Sequence, residues 1–188
     1  MASSMLRLFA TILALVLAVS TAATAEPKLE MHRVGVNLDD GSGWCPAVST
    51  KGSFSILMPI PFNDFTTRDS VTDVMLLHGI GGKSSEGIKF TAVEMPVMAK
   101  TPVDLAAIPK SFTSNAANQV SDVSRTTRDD VDSLSFSVAN ATTTAHMRYI
   151  KMKDALYTLT IECPNAYRDL VAERKDKFFE SFKLKAKS

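Results

Sequence analysis

The sequence predicts an α+β fold, in which helices pack on an antiparallel β-sheet. Three observations lead to this class: a first group of strand-like segments, a helical segment with capping residues in the middle, and a second group of strand-like segments that precedes a C-terminal amphipathic helix. Strands that come in groups, and do not alternate one by one with helices, are typical of α+β proteins. The chain of 188 residues is long enough to bury a hydrophobic core.

The first 25 residues have the three-part layout of a secretory signal peptide. One charged residue, Arg7, precedes the apolar run of residues 8–19, and small residues follow that end in the triplet Ala23-Thr24-Ala25. The apolar run is shorter than the roughly 20 residues that cross a bilayer. We therefore expect cleavage after Ala25 and a periplasmic or secreted protein with no transmembrane segment after signal removal.

The charge of the remaining chain argues against one class of partner. The sequence has 21 basic and 20 acidic residues, and Arg7 is the only charged residue before Glu26, so residues 26–188 are close to neutral. Proteins that bind nucleic acids use an excess of basic residues to neutralise phosphates. We expect residues 26–188 to form a single α+β domain. Because its net charge is close to zero, we expect this domain to bind no nucleic acid.

The first group of strands follows a loop that is rich in glycine and aspartate. This loop, residues 37–46, separates residues 28–36 from the rest, so residues 26–46 are a candidate N-terminal arm. A further loop is expected at residues 59–64. Three strands are predicted in this half of the chain, at residues 52–59, 71–80 and 87–95.

A helical segment is predicted between the two groups of strands. Thr101 is placed to cap the helix, with Pro102 at its first position. Pro109 is expected to interrupt the helix, and a second helical piece is expected to reach about Ala117. A β-meander follows, with strands predicted at residues 120–128, 133–139, 143–152 and 156–163.

The last strand and the final helix are predicted to share a core. Residues 157, 159, 161 and 163 are apolar and lie on one face of the strand. The helix is expected from Ala166 to about Phe182, and Phe179 is expected at the edge of its apolar stripe or exposed, since it lies about 100° from that stripe. The predicted stripe consists of Tyr167, Leu170, Val171, Arg174, Phe178 and Phe182.

Several of these positions form motifs that are found together in one superfamily. The opening strand carries Phe54, Ser55 and Pro59 in a Phe-Ser-hydrophobic-x-x-Pro pattern. The closing hairpin and helix carry Arg148, Tyr149, Tyr157, Leu159, Phe178 or Phe179, Ser181 and Phe182. With these motifs the chain resembles the PsbP-like superfamily, which implies an α/β/α sandwich. The superfamily includes photosystem subunits, a Ran-binding import factor and exported bacterial proteins, but the motifs mark core positions and imply no particular partner.

The two cysteines are candidates for a disulfide. An exported protein folds in an oxidising compartment, where an even number of cysteines favours pairing. A bridge between Cys45 and Cys163 would close a long loop, worth roughly 4–5 kcal/mol in the chain-entropy model. The alternative is two buried thiols.

The segment LLHGIGGKSS, residues 76–85, invites two catalytic interpretations that its spacing does not support. A Walker A loop would need a glycine at position 77, which is Leu77. An α/β-hydrolase would need a Gly-x-Ser-x-Gly elbow, which the sequence lacks. We therefore expect residues 81–87 to be a hairpin connection whose glycines adopt positive φ values.

No cofactor or metal site is predicted. His32, His78 and His146 are too far apart in sequence to form a local metal motif. The acidic residues Asp129, Asp130 and Asp132 lack the glycine of a calcium-binding loop. A glycosylation sequon at residues 140–142 would matter only in a eukaryotic secretory pathway.

The function predicted from these observations is that of an exported, non-enzymatic protein which binds a protein or envelope partner. Two alternatives remain. The protein could bind a small ligand in an apolar cleft between sheet and helix, or it could be a hydrolase assembled from distant residues such as His78 and Ser84. A serine or cysteine within hydrogen-bond reach of a histidine in a cleft would favour the hydrolase.

Overall fold

The computed structural model describes residues 26–37, 41–97, 103–128 and 131–185. The expected signal peptide, the predicted cap at Thr101 and Pro102, and the acidic pair Asp129-Asp130 lie outside the described residues. No helix among the described residues is long and apolar enough to span a membrane.

The main element is an antiparallel sheet of eight strands. Their order across the sheet is β1-β4-β5-β6-β10-β9-β8-β7, so β1 and β7 are the outer strands. The residues of the candidate N-terminal arm include β1, which pairs with β4 and is therefore part of the sheet. The strands are β1 (Lys28–Val36), β4 (Phe62–Arg68), β5 (Met75–Lys83), β6 (Lys89–Pro96), β7 (Gln119–Arg128), β8 (Val131–Ala139), β9 (Thr143–Lys151) and β10 (Ala155–Pro164).

A second, three-stranded sheet and the C-terminal helix cover one face of the main sheet. The small sheet has the order β11-β3-β2 and consists of β2 (Cys45–Val48), β3 (Phe54–Met58) and β11 (Lys183–Leu184). Helix α2 (Arg168–Glu180) lies over β10 and β9. We call this side of the main sheet the α2 face. Its core joins residues of both sheets and the helix, including Phe54, Phe90, Leu159, Ile161, Val171 and Phe178.

A shorter helical segment packs on the opposite side, which we call the α1 face. It consists of a 3-10 turn (Leu105–Ala107) followed directly by helix α1 (Ile108–Thr113). Leu105 packs there against Leu134, Phe136, Val138, Tyr149 and Leu156. The predicted α+β class, an antiparallel sheet with helices packed on it, is therefore confirmed.

The ends of strands β7 to β10, which form the meander, lie within two residues of the predicted ends. Strand β4, in contrast, was not predicted. The loop expected at residues 59–64 is wrong from Phe62 onwards, because β4 begins there. Strand β4 has no apolar–polar alternation, since Asp64, Thr66 and Thr67 are all buried. The side chains of Asp64 and Thr66 form hydrogen bonds, which lower the free-energy cost of burying these polar groups.

The glycine-rich segment lies mostly inside a strand. Gly79 and Gly82 belong to β5, where a Cβ atom on Gly79 would lie 2.4 Å from the ring of Phe65, and one on Gly82 would lie 2.3 Å from the carbonyl oxygen of Pro61. The turn itself starts later, at Ser84, and Gly87 adopts the positive φ of +87°. The predicted connection at residues 81–87 is therefore wrong at its start: the strand glycines make room for neighbouring groups.

The helix on the α1 face begins later than predicted. Asp104 caps the 3-10 turn by accepting a hydrogen bond from the Ala106 amide at 2.9 Å. The helical segment is divided just before Pro109, as expected, since the 3-10 turn ends at Ala107 and α1 begins at Ile108. Pro109 fits in the first turn of α1, because an amide there would have no intrahelical acceptor. The helix ends at Thr113, so the extension to Ala117 is wrong.

Helix α2 buries Val171 and Phe178 of the predicted stripe, but the edge of the stripe differs from the prediction. Its buried residues are Val171, Phe178 and Phe179, whereas Leu170 is 39% exposed. Of the two alternatives for Phe179, exposure is wrong, since only 4% of this residue is exposed. Phe182 follows the helix and stacks on Phe54 at 6.0 Å between ring centroids. A 3-10 turn at Asn165–Tyr167 precedes α2, so the helix begins at Arg168 and not at Ala166.

No disulfide joins Cys45 and Cys163, and both are buried thiols. Cys45 belongs to the small sheet and Cys163 to the main sheet, on opposite sides of the core that they share. Sheets packed face to face lie about 10 Å apart. A disulfide needs Cα atoms about 4.4–6.8 Å apart. Burial raises the pKa of the Cys163 thiol, which keeps it protonated.

Candidate functional site

A cleft of about 90 Å³ lies on the α2 face, beside helix α2 and above strands β7, β8 and β9. We call it the His146 cleft. The polar and charged residues that line it are Asp122, Ser135, Ser137, His146, Arg148, Lys175 and Asp176, and Phe179 closes it on the helix side.

The floor of the cleft follows from the alternation of strand β8. Leu134, Phe136 and Val138 are buried in the cluster on the α1 face. The serines between them therefore lie on the α2 face, since successive residues of a strand point to opposite sides. Two of these serines, Ser135 and Ser137, line the cleft. The strand thus supplies hydroxyl groups where the helix no longer covers the sheet.

Ser137 and His146 are direct cross-strand partners and form a hydrogen bond. Ser137 Oγ lies 2.8 Å from His146 Nδ1, and His146 is 8% exposed. The other ring nitrogen, Nε2, is buried and has no hydrogen-bond partner among the described residues. Burial, and then the nearby positive charge of Lys175, lower the pKa of His146 against the opposing effect of Asp122. The imidazole is therefore neutral at pH 7.

The rim of the cleft contains a residue in an unfavourable backbone conformation. Asp122 has φ +54° at a register shift between Ser121 and Ser124 in strand β7. A left-handed conformation costs most non-glycine residues roughly 1–2 kcal/mol, and aspartate tolerates it better than most. Ser121 donates a hydrogen bond to the carboxylate of Asp122 at 3.0 Å, which offsets part of that cost. Backbone strain of this kind is concentrated at functional sites.

Two cations on the other side of the cleft differ in how firmly they are held. Arg148 donates to Ser135 Oγ at 3.2 Å and to Glu180 Oε1 at 2.7 Å, and its guanidinium lies 5.0 Å from the centroid of the Phe179 ring. Among the described residues, Lys175 has no ion pair within 4.0 Å and no hydrogen bond to its ammonium group. Arg148 is therefore neutralised and fixed in place, whereas the charge of Lys175 is available to a ligand.

The serine–histidine pair meets the criterion that favours a hydrolase, but only in part. In a catalytic triad, an acid bonded to the second ring nitrogen orients the histidine. His146 Nε2 has no such partner in the part of the chain that the structure describes. Residues directly opposite each other in an antiparallel sheet lie within side-chain reach, so strand register alone accounts for the bond to Ser137.

The other two histidines meet at a single threonine in the sheet. Thr66 Oγ1 lies 2.7 Å from His32 Nε2 and 2.8 Å from His78 Nδ1. Burial lowers the pKa of His78, and the carboxylate of Glu94 opposes this effect. Since a hydroxyl has one hydrogen, one imidazole donates to Thr66 and the other accepts from it. The cluster links β1 to β4 and β5 and therefore has a structural role.

The predicted combination of His78 with Ser84 is not assembled. Ser84 lies in the turn after β5, where its hydroxyl oxygen accepts a hydrogen bond from the Ile88 amide at 3.3 Å. The pair that could resemble a hydrolase is instead Ser137 with His146, which the sequence analysis did not connect. The alternation of serine with apolar residues in β8 was the only sequence signal for it.

A buried carboxylate, Asp64, was also missed by the sequence analysis because it lies in the segment predicted as a loop. Its Oδ2 accepts hydrogen bonds from Thr50 N at 2.7 Å, from Thr50 Oγ1 at 2.6 Å and from Arg33 Nη2 at 2.8 Å. These contacts connect β1 and the segment after β2 to strand β4. Asp64 therefore joins the two sheets.

The remaining candidates have local structural roles. Arg125 binds Asp132 through two hydrogen bonds, at 2.9 and 2.6 Å. The Oδ1 atom of Asn140 accepts from the amides of Thr142 and Thr143 in the turn before β9. The described residues contain no group of three histidine, cysteine, aspartate or glutamate side chains that could hold a metal ion.

Among solved structures, the chain is similar to cyanobacterial PsbP (CyanoP) from Synechocystis sp. PCC 6803, which was determined in solution. The two share 11% sequence identity and superpose with a TM-score of 0.48, over 89% of this chain and 98% of that chain. No protein-family model matches the chain, and no curated protein matches it by sequence. The similarity concerns the fold alone.

Proposed function

We propose that the protein is exported and acts in the periplasm or outside the cell as a non-enzymatic binding protein, whose protein or envelope partner contacts the His146 cleft. One observation carries this proposal: two unfavourable features meet at this cleft. The buried Nε2 of His146 lacks a partner, and Asp122 adopts a left-handed conformation at the rim. An unpaired buried polar atom costs about 1–3 kcal/mol. A role in binding accounts for the meeting of both features at one cleft.

Both outer strands of the main sheet favour contact through a face and not through an edge. Strand β1 has register shifts on both sides of Arg33, and β7 has one between Ser121 and Ser124. Irregularities of this kind hinder the addition of a further strand to an open edge. A partner that docks on the α2 face reaches the cleft without adding a strand to either edge.

Export is the second part of the proposal, and it rests on the sequence of residues 1–25. The apolar run and the Ala23-Thr24-Ala25 triplet are typical of a cleaved secretory signal. Intact mass of the protein from its native cell should place the first residue at Glu26. A cytosolic protein that begins at Met1 would refute export without bearing on the cleft.

The binding role can be tested by comparing charge reversals on opposite faces. Tagged protein should retain a specific envelope component, and Lys175→Glu in the cleft wall should reduce this retention at least fivefold. The matched control is Lys110→Glu, which changes an exposed lysine of α1 on the other face. If both variants retain the component to the same extent as the native protein does, the partner does not contact the His146 cleft.

A hydrolase is the second candidate, because Ser137 Oγ lies 2.8 Å from His146 Nδ1 in a cleft. An activated serine would react with a fluorophosphonate, and Ser137→Ala would abolish the labelling. We expect no labelling at Ser137, because the described residues supply no acid to orient His146. Labelling that depends on both residues would replace the binding role with a catalytic one.

A further inference from the structure

The Ser137–His146 pair has one more hydrogen-bond donor than it uses. A neutral imidazole carries one N–H group and a serine carries one O–H group. The bond between Ser137 Oγ and His146 Nδ1 uses one of these two hydrogens, whichever direction it takes. If the serine donates, the N–H at Nε2 is left without a partner; if the imidazole donates, the serine O–H is left. The unused hydrogen needs an acceptor in either tautomer, but only in the first does an acceptor satisfy the buried Nε2, since in the second Nε2 carries a lone pair and lacks a donor. The first tautomer, in which Ser137 donates to Nδ1, is therefore the one that fits an anionic ligand.

We propose that the His146 cleft binds a carboxylate group, held by the unused donor of the Ser137–His146 pair and by the ammonium group of Lys175. This inference rests on the proposed binding role of the same cleft and names the chemical group that enters it. A carboxylate has two oxygens that accept hydrogen bonds, so it can satisfy both donors at once.

The charges around the cleft determine how many such groups it can hold. Lys175 faces the cleft without an ion pair among the described residues, whereas Arg148 is already paired with Glu180. Asp122 and Asp176 also line the cleft, and their negative charges oppose an anion. One available cation therefore limits the cleft to one carboxylate, placed on the side of Lys175.

The size of the cleft fits a group of this kind. Its volume of about 90 Å³ holds several water molecules, or one carboxylate with a short stem. The cleft opens at the surface beside Asp176, which is itself exposed. The carboxylate can therefore belong to a small free acid or to the C-terminus of a partner chain.

Acetate is the simplest probe, and the imidazole of His146 is the most direct reporter. The purified protein is titrated with sodium acetate at constant ionic strength, with sodium chloride as the reference, while NMR follows the ring signals of His146. We expect a saturable change with acetate and none with methylammonium. Lys175→Gln should weaken acetate binding about fivefold, as expected for a partly exposed charge pair.

Two further variants separate a carboxylate site from a general electrostatic effect. Lys177→Gln removes a lysine of the same helix that lies 4.8 Å from the Trp44 ring centroid, outside the cleft, and should leave acetate binding unchanged. Asp176→Asn removes a negative charge from the cleft and should tighten acetate binding. No response of His146 to acetate, equal weakening by the two lysine variants, or weaker binding in Asp176→Asn would each overturn the proposal.

The source of the carboxylate is distinguished with a pair of peptides. Acetyl-Ala-Ala with a free C-terminus is compared with its C-terminal amide. Tighter binding of the free acid than of acetate assigns the site to a chain terminus, and equal binding assigns it to a small acid. Binding of the amide as tight as that of the acid would contradict the carboxylate site. Acetate binding is measured on the isolated protein, so the carboxylate site can be confirmed even if no envelope component is captured. Capture of an envelope component can likewise succeed even if acetate does not bind.

Discussion

Replacing Phe178 by alanine tests how helix α2 is held on the main sheet. Phe178 has no exposed surface, and its ring meets that of Phe90 edge-on, with 5.3 Å between the centroids. Burying a phenylalanine contributes roughly 1.5–3 kcal/mol, and an aromatic pair adds about 0.5–1.5 kcal/mol. With the cavity left behind, the expected loss of unfolding free energy is about 3–5 kcal/mol. A domain of this size has about 5–15 kcal/mol in total.

The assay is urea unfolding followed by circular dichroism, with Leu170→Ala in the same helix as the control. Leu170 is 39% exposed, so its replacement should cost less than about 1 kcal/mol. The unfolding midpoint of Phe178→Ala should fall while the slope of the transition stays the same. Phe179→Ala should also be costly, since that side chain is buried. Equal losses for Leu170→Ala and Phe178→Ala would show that a different side of α2 faces the sheet.

Two other predictions concern the strand glycines and the histidines. Gly79→Ala should destabilise the protein far more than Gly81→Ala. The added Cβ would lie 2.4 Å from an aromatic ring at position 79, but 3.4 Å from its nearest atoms at position 81. Similar thermal midpoints for the two variants would contradict this prediction. Burial lowers the pKa of His78 and His146 below the unfolded value of 6.5, so the unfolded chain binds more protons in that range and stability falls as pH drops from about 6.5 through the lowered values. Urea midpoints that stay constant or rise between pH 7 and pH 5 would refute this contribution.

The parts of the fold that were predicted from the sequence share one physical feature. In β8 and β10, apolar residues alternate with polar ones because one face of each strand contacts a core and the other contacts polar neighbours. Strand β4 lacks this pattern, since Asp64 and Thr66 are buried through hydrogen bonds to residues far away in sequence. No local pattern encodes such partners, so β4 was interpreted as a loop.

The predictions for the glycines of β5 and for the edge of the α2 stripe were wrong for related reasons. Gly79 and Gly82 avoid contacts with residues of neighbouring segments, and only the folded chain brings these together. Glycine was therefore interpreted by its commonest use, in turns. In α2 the prediction placed Leu170 in the stripe and Phe179 at its edge or outside it, but Phe179 is buried and Leu170 is 39% exposed, which depends on how the helix is seated on the sheet.

The candidate site could be predicted only in pieces. His146 was singled out as one of three histidines, and the serine–apolar alternation of β8 was readable in the sequence. What joins them is the register between β8 and β9, which places Ser137 opposite His146. The left-handed conformation of Asp122 gave no signal at all, because Asp-Val is an ordinary pair inside a polar strand.

The central claim is that the partner contacts the His146 cleft, and site-specific photocrosslinking in the native envelope tests it most directly. A photoreactive residue is placed at Asp122 or Asp176, on the cleft, and at Lys110, on the α1 face. We expect both cleft positions to crosslink to the same envelope component and position 110 not to do so. A crosslink to that component from position 110, with none from positions 122 and 176, would contradict it.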